Sequence, residues 1–121
     1  MSNRSQVESA VSQFFEAMIS NDASKLPLSE HVEYLGVLTP EPIRGKTDVR
    51  AHVQETAPFM QSITQGKIVI EGDSCAVVSD FEAVNGVQTE GAYFLEVTDG
   101  NISRIRAVFD SRPLFSGRKG D

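Results

Sequence analysis

The 121-residue sequence has a single cysteine, Cys75, so no internal disulfide can form and no cysteine-based zinc site can start. Basic residues are in the minority. Eleven Lys and Arg stand against seventeen Asp and Glu, a net charge of −6, which argues against non-specific nucleic-acid binding. No apolar run approaches the roughly 20 residues of a membrane-spanning helix. The first ten residues lack the apolar stretch of a secretory signal. There is no phosphate-cradling loop, dinucleotide fingerprint or metal-ligand cluster, so no nucleotide, flavin or metal is implied and no cofactor is expected. What is present is 40% hydrophobic residues spread over the whole length, which excludes a disordered chain. A chain of this size can bury about two-thirds of its unfolded surface. The expectation is one soluble, cytoplasmic domain over residues 1–121, with short flexible ends at about 1–4 and 116–121.

Two periodicities divide the chain. From Ser5 to Asn21, Val7, Val11, Phe14 and Met18 recur at helical spacing, and Ala10, Phe15 and Ile19 widen the stripe. Asn21-Asp22-Ala23-Ser24 ends that helix and can cap a short turn near Lys25 and Leu26. His31 to Leu38 reads as a strand, and Thr39 to Arg44, with Pro40 and Pro42, as a loop. Gly45-Lys46-Thr47-Asp48 opens a second helix with Val49, His52, Val53 and Thr56 on one face, ended or kinked by Pro58. After Gly66 the period becomes two. Lys67–Glu71, Cys75–Val84, Thr89–Val97 and Asn101–Phe109 read as strands joined by turns at Gly72-Asp73, Asn85-Gly86 and Asp99-Gly100. Short connections mean antiparallel pairing. Helices followed by such a sheet describe an α+β domain with the helices on one face of a curled sheet.

That order resembles the NTF2-like superfamily, and within it the SnoaL-like branch with its ketosteroid isomerase and limonene epoxide hydrolase relatives. The resemblance runs from about Val7 to Leu114. It rests on the long first helix ending in Asn-Asp, on Pro42-x-x-Gly45-Lys46-Thr47-Asp48-Val49 opening a helix, and on the last strand from Asp99 to Asp110. It implies a cystatin-like cone, a mainly antiparallel curved sheet wrapped around helices with a pocket between them, and a homodimer through the outer face of the sheet. Cys75, Phe81 and Phe94, if turned outward, would supply the apolar patch for that dimer.

The isomerase's catalytic groups are largely missing at the matching positions. Its proton-shuttling aspartate corresponds to Gly36, nine residues before Gly45, and its helix tyrosine to Phe14, eight before Asp22. The third group falls near Tyr93. A glycine cannot take a proton, so steroid isomerisation by that route is rejected. The epoxide hydrolase's last-strand acid corresponds to Ala107. Arg104 and Arg106 lie on that strand, but Ile105, Ala107 and Phe109 make the better inward face, which turns the arginines outward, so the epoxide hydrolase's water-activating route is rejected as well.

The remaining polar candidates each have a plain alternative. His52 lies on the helix face that covers the pocket mouth and can act as acid or base near its ordinary pKa of about 6.5; the alternative is a filler imidazole. Tyr34 alternates with Val32, and Tyr93 with Leu95 and Val97, which puts both phenols among apolar neighbours, as ligand-orienting groups or as core aromatics. With Phe14, Met18, Phe59, Ala107 and Phe109 they form the expected lining for a small, largely apolar molecule. Asp80 and Glu82 share one strand face. If inward beside His52 they can do acid/base work; the competing face, Val77, Ser79, Phe81 and Ala83, is the more apolar and the better interior. His31 reads as an exposed loop residue, and Cys75 as a small buried hydrophobe. Two functions stay open: a small-molecule protein using isomerase-, cyclase- or hydrolase-type acid/base chemistry, or a non-catalytic binding or dimerisation module.

Overall fold

The computed structural model describes residues 3–37, 39–56, 60–83 and 86–109. Helix α1 (Arg4–Ser20) starts with a reciprocal cap. The Asn3 side chain accepts from the Gln6 amide at 2.8 Å, and the Gln6 side chain accepts from the Asn3 amide at 3.0 Å. Both satisfy amides that a helix start otherwise leaves free. The helix stops at Asn21, whose φ of 57° is left-handed, a conformation asparagine tolerates. Its buried stripe is Val7, Ala10, Val11, Phe14, Phe15, Ala17 and Met18. Ile19 does not join it. It lies about 100° further round than Met18 and is 65% exposed.

A 3₁₀ turn (Ala23–Lys25) leads into β1 (Leu28–Leu35), followed by β2 (Ile43–Arg44), α2 (Lys46–Thr56), β3 (Met60–Glu71), β4 (Ser74–Ala83), β5 (Gln88–Thr98) and β6 (Asn101–Phe109). The six strands form one sheet in the order β2-β1-β6-β5-β4-β3. Every neighbouring pair is antiparallel except β1 with β6, which run parallel.

Several boundaries move from the sequence expectation. The first strand begins at Leu28 rather than His31 because its foot is already tied to β6: Leu28 pairs with Ile102, whose amide donates to the Pro27 carbonyl at 2.6 Å. His31 therefore sits on a strand, though exposed. The loop over 39–44 contains β2, whose Ile43 and Arg44 pair with Tyr34 and Glu33. Strand β3 begins at Met60, seven residues before Lys67. From Gln61 to Gly66 only Ile63 is apolar, so alternation there is too weak to read. The Asp99-Gly100 turn has positive φ at both residues (52° and 83°), as a two-residue hairpin of the favoured twist requires. Pro58, Phe59, Val84, Asn85, Asp110 and the tail from 116 lie outside the described residues.

The concave face packs on the helices. Its rows, by register, are Ile70–Cys75–Leu95–Ile105–Tyr34, then Ile68–Val77–Tyr93–Ala107, then Gln65–Ser79–Gly91–Phe109. Cys75 and Phe81 are buried on this face, which corrects their expected place in an outer patch. Strand alternation decides it, since both fall on the side of Val77. Phe94 does face outward, 46% exposed. Arg104 and Arg106 also point outward, and Arg104 reaches Glu33 and Glu96 at 3.6 Å each while Glu33 accepts from Arg44 at 2.9 Å.

Candidate functional site

The polar groups of the cone are set by α2, by Gly36 just past the end of β1, and by the small Ala107 on β6. Gly45 begins α2, accepting the Val49 amide at 2.9 Å while its own amide donates to Val32 at 2.8 Å. Its φ of 96° is open to glycine at no steric penalty. Further along, Arg50 donates to the carbonyls of Ala23 and Leu26, and Gln54 both accepts from the Ala23 amide and donates to the Asn21 carbonyl. These four bonds clamp α2 against the end of α1. Val49 and Val53 are buried beneath it, and His52 is left half-buried beside Tyr34, ring centroids 4.8 Å apart.

Tyr34 reaches that position because Gly36 has no side chain. A Cβ at Gly36 would lie 3.1 Å from Tyr34 Cε1 and 3.3 Å from Tyr34 Oη. The phenol therefore lies over the backbone where a residue-36 side chain would stand. Two strands away on β5, beyond β6, Tyr93 pairs with the small Ala107 and packs edge-on against Phe14 (5.0 Å) and Phe15 (5.9 Å). Tyr93 is 7% exposed and Phe14 1%, so Phe14 holds the Tyr93 ring as a packing partner deep in the core.

Burial sets the charge state of all three polar groups. It pushes the Tyr34 phenol up to about 12. It raises Tyr93 still more, and Tyr34 adds to that rise, which places the two phenols within electrostatic reach of each other. Both are neutral hydrogen-bond donors across the ordinary pH range. Burial lowers His52 below its usual value, against a smaller opposing pull from Glu55. At neutral pH its imidazole is uncharged and keeps a basic lone pair.

The expected lining comes together in part. Tyr34 with His52, Phe14 with Tyr93, Tyr93 with Ala107, and Phe109 with Phe81 (5.4 Å) are neighbours. Met18 lies one turn beyond Phe14 on the buried stripe of α1. Phe59 lies outside the described residues. Asp80 and Glu82 are not beside His52. By alternation they face the other side of the sheet from Ser79, and with Ser62, Thr64, Glu90 and the edge of Phe81 they border an open polar cavity of about 610 Å³ at the far end of β3–β5. One polar group was not singled out by sequence: Ser79, wholly buried, with no hydrogen-bond partner for its Oγ among the described residues. Its place in the alternation of Val77, Ser79 and Phe81 is the signal that marks it as inward.

Two helices held in the concavity of a six-stranded curved sheet define an NTF2-like, cystatin-like α+β protein. Within that class the chain belongs to the family described as a domain of unknown function (DUF4904), whose model matches residues 2–119. No curated protein matches the sequence. Among solved structures it is similar to a provisionally assigned SnoaL-like polyketide cyclase from Jannaschia sp. CCS1, with a TM-score of 0.84 and 11% identity over 100% of this chain and 99% of that one. It is also similar to a provisionally assigned ketosteroid isomerase from Kribbella flavida DSM 17836 (TM-score 0.77, 26% identity, 88% and 78% covered). A third is an epoxide hydrolase of the limonene type from M. tuberculosis (TM-score 0.75, 21% identity, 93% and 89% covered).

Proposed function

We propose that the cone binds a small, largely apolar molecule bearing an oxygen, oriented by the Tyr34 and Tyr93 phenols, with His52 as the acid/base group. The observation that carries this reading is the meeting of two neutral phenols and one neutral imidazole on a wall that is otherwise aliphatic and aromatic. Phenols of raised pKa hold a carbonyl or an enolate oxygen by hydrogen bonds without competing for its proton. A neutral imidazole is the one group of the three that can take a proton at pH 7. The relatives named as isomerase, cyclase and epoxide hydrolase support this class of chemistry, and with a glycine at position 36 the proton-taking role passes to His52. The reading places the protein in the cytoplasm with no membrane, nucleic-acid or cofactor partner; among the described residues no helix is long and apolar enough to cross a membrane.

Native mass spectrometry of protein purified without added ligand tests the pocket. The expected result is a stoichiometric small-molecule adduct, and an adduct-free protein that no small molecule stabilises would overturn the reading. With a substrate in hand, His52→Ala is expected to abolish turnover and leave the melting temperature nearly unchanged. A binding module without catalysis is the second reading, favoured by Gly36 and Phe14, which lack the acid and the donor of the isomerase; unaltered turnover in His52→Ala would leave His52 without a catalytic part.

We also propose a homodimer through the outer face of the sheet. Val69, Ala76 and Phe94 lie side by side across β3–β5, and Val78, Ala92 and Val108 across β4–β6. Four of these are large and exposed, a continuous apolar patch of the kind that marks an interaction surface.

A further inference from the structure

Ser79 is the unexplained polar group of the concave face. It is 0% exposed, and its Oγ has no hydrogen-bond partner among the described residues. A buried hydroxyl left so is rare and destabilising, and alanine at the same point of β4 would remove the deficit. Its surroundings show how it comes to be enclosed. Ser79 pairs with Gly91 on β5, and Gly91 pairs with Phe109 on β6. A Cβ at Gly91 would fall 2.7 Å from Phe109 Cβ, so Phe109 already leans over the glycine. Phe81 approaches from β4, and the two rings meet edge-on at 5.4 Å across the intervening strand. Gly91 is the gap in the floor that this pair covers. Tyr93 is the diagonal neighbour of Ser79 on the same face, close enough for a long side chain to reach across.

We infer that Ser79 is a ligand-anchoring residue: its hydroxyl and that of Tyr93 converge on one oxygen, a carbonyl or hydroxyl, at the deep end of a bound apolar molecule. This rests on the pocket reading above and adds where the oxygen goes and what it must be. Entry parts the Phe81–Phe109 pair, and the half-buried Phe109 is the ring with room to turn. The unsatisfied Ser79 then gains the partner it lacks. A site built this way rejects an isostere without the oxygen, because binding it would leave two buried donors unpaired.

The test uses a matched pair of probes, 2-acetylnaphthalene and 2-isopropenylnaphthalene, which differ in C=O against C=CH₂. Binding is measured by calorimetry to the native chain, Ser79→Ala and Tyr93→Phe, with thermal unfolding of each. The native chain is expected to prefer the ketone by about tenfold or more, one good hydrogen bond's worth of discrimination. In Ser79→Ala that preference should fall to about twofold or less, while the ligand-free melting temperature holds or rises by about 2–5 °C. A ketone preference unchanged in Ser79→Ala would overturn the anchor, as would a drop in its ligand-free melting temperature, which would show a structural partner for the hydroxyl. Equal binding of both probes to the native chain would also overturn the anchor while leaving the pocket in place. Binding of neither would overturn both.

Discussion

Tyr34 owes its position to the residue two places on, which has no side chain. Because a Cβ at Gly36 would sit 3.1 Å from the Tyr34 ring, Gly36→Ala should push the phenol aside by a few tenths of an ångström and lower stability by about 1 kcal/mol, read by thermal unfolding and by the shift of the Tyr34 ring resonances. The phenols themselves give a pH signature. With Tyr34 pushed up to about 12 and Tyr93 raised further, little tyrosinate absorbance should develop near pH 10 in the folded chain. These are its only two tyrosines. The stability they contribute is complete below pH 10 and is lost as pH climbs through about 12. His52 works in the opposite direction. Its folded-state pKa lies below its ordinary 6.5, so its contribution is complete above that value and drains away as pH falls through the lowered one. His52→Gln should flatten that part of a stability–pH curve. Much of this was legible in sequence: alternation alone turns Tyr34 and Tyr93 inward and Asp80 outward. The lean of Tyr34 over Gly36 was not, because it depends on which way a ring tilts along the strand.

Elements were legible where their pattern was strong and obscure where pairing with a distant strand made them. The α1 stripe and β6 stand almost as read, since each carries an uninterrupted period and a clear start or stop. The first half of β3 and all of β2 exist because a neighbour supplies their hydrogen bonds, which no local window contains. The start of α1 has a local cause that can be removed. Asn3→Ala deletes one half of the capping box and should cost about 1 kcal/mol, seen as a lower melting temperature with native far-ultraviolet dichroism retained. Gly91→Ala is the harsher change. Its Cβ would come within 2.7 Å of both Phe109 Cβ and the Val108 carbonyl oxygen. A β6 backbone atom cannot rotate away, so a loss of about 2–3 kcal/mol is expected from denaturant unfolding.

For the whole molecule, the two faces of one sheet have separate tasks. The concave face packs on the helices and carries Tyr34, Tyr93 and Ser79, where the proposal puts the ligand; the convex face carries an apolar band between the Glu33–Arg104–Glu96 ion pairs at one end and Asp80, Glu82 and Glu90 at the other. Phe94→Glu places a charge in the middle of that band. Sedimentation should then show a monomer in place of the proposed dimer, with the fold intact. A native chain that sediments as a monomer at micromolar concentration would remove the dimer from the proposal.

The parallel junction of β1 with β6 also fixes the order in which this protein can be made. Leu28 through Leu35 leave the ribosome long before their partners, Ile102 through Arg106, exist. For more than half of translation β1 has only the two residues of β2 on one flank, and its other flank waits. Such a long-range closure slows folding, because the loop must be ordered before any contact rewards it. It also means that nothing short of the last strand completes the sheet. A nascent chain arrested before Asn101 should be cut readily by protease, and one arrested with β6 clear of the exit tunnel should abruptly resist it.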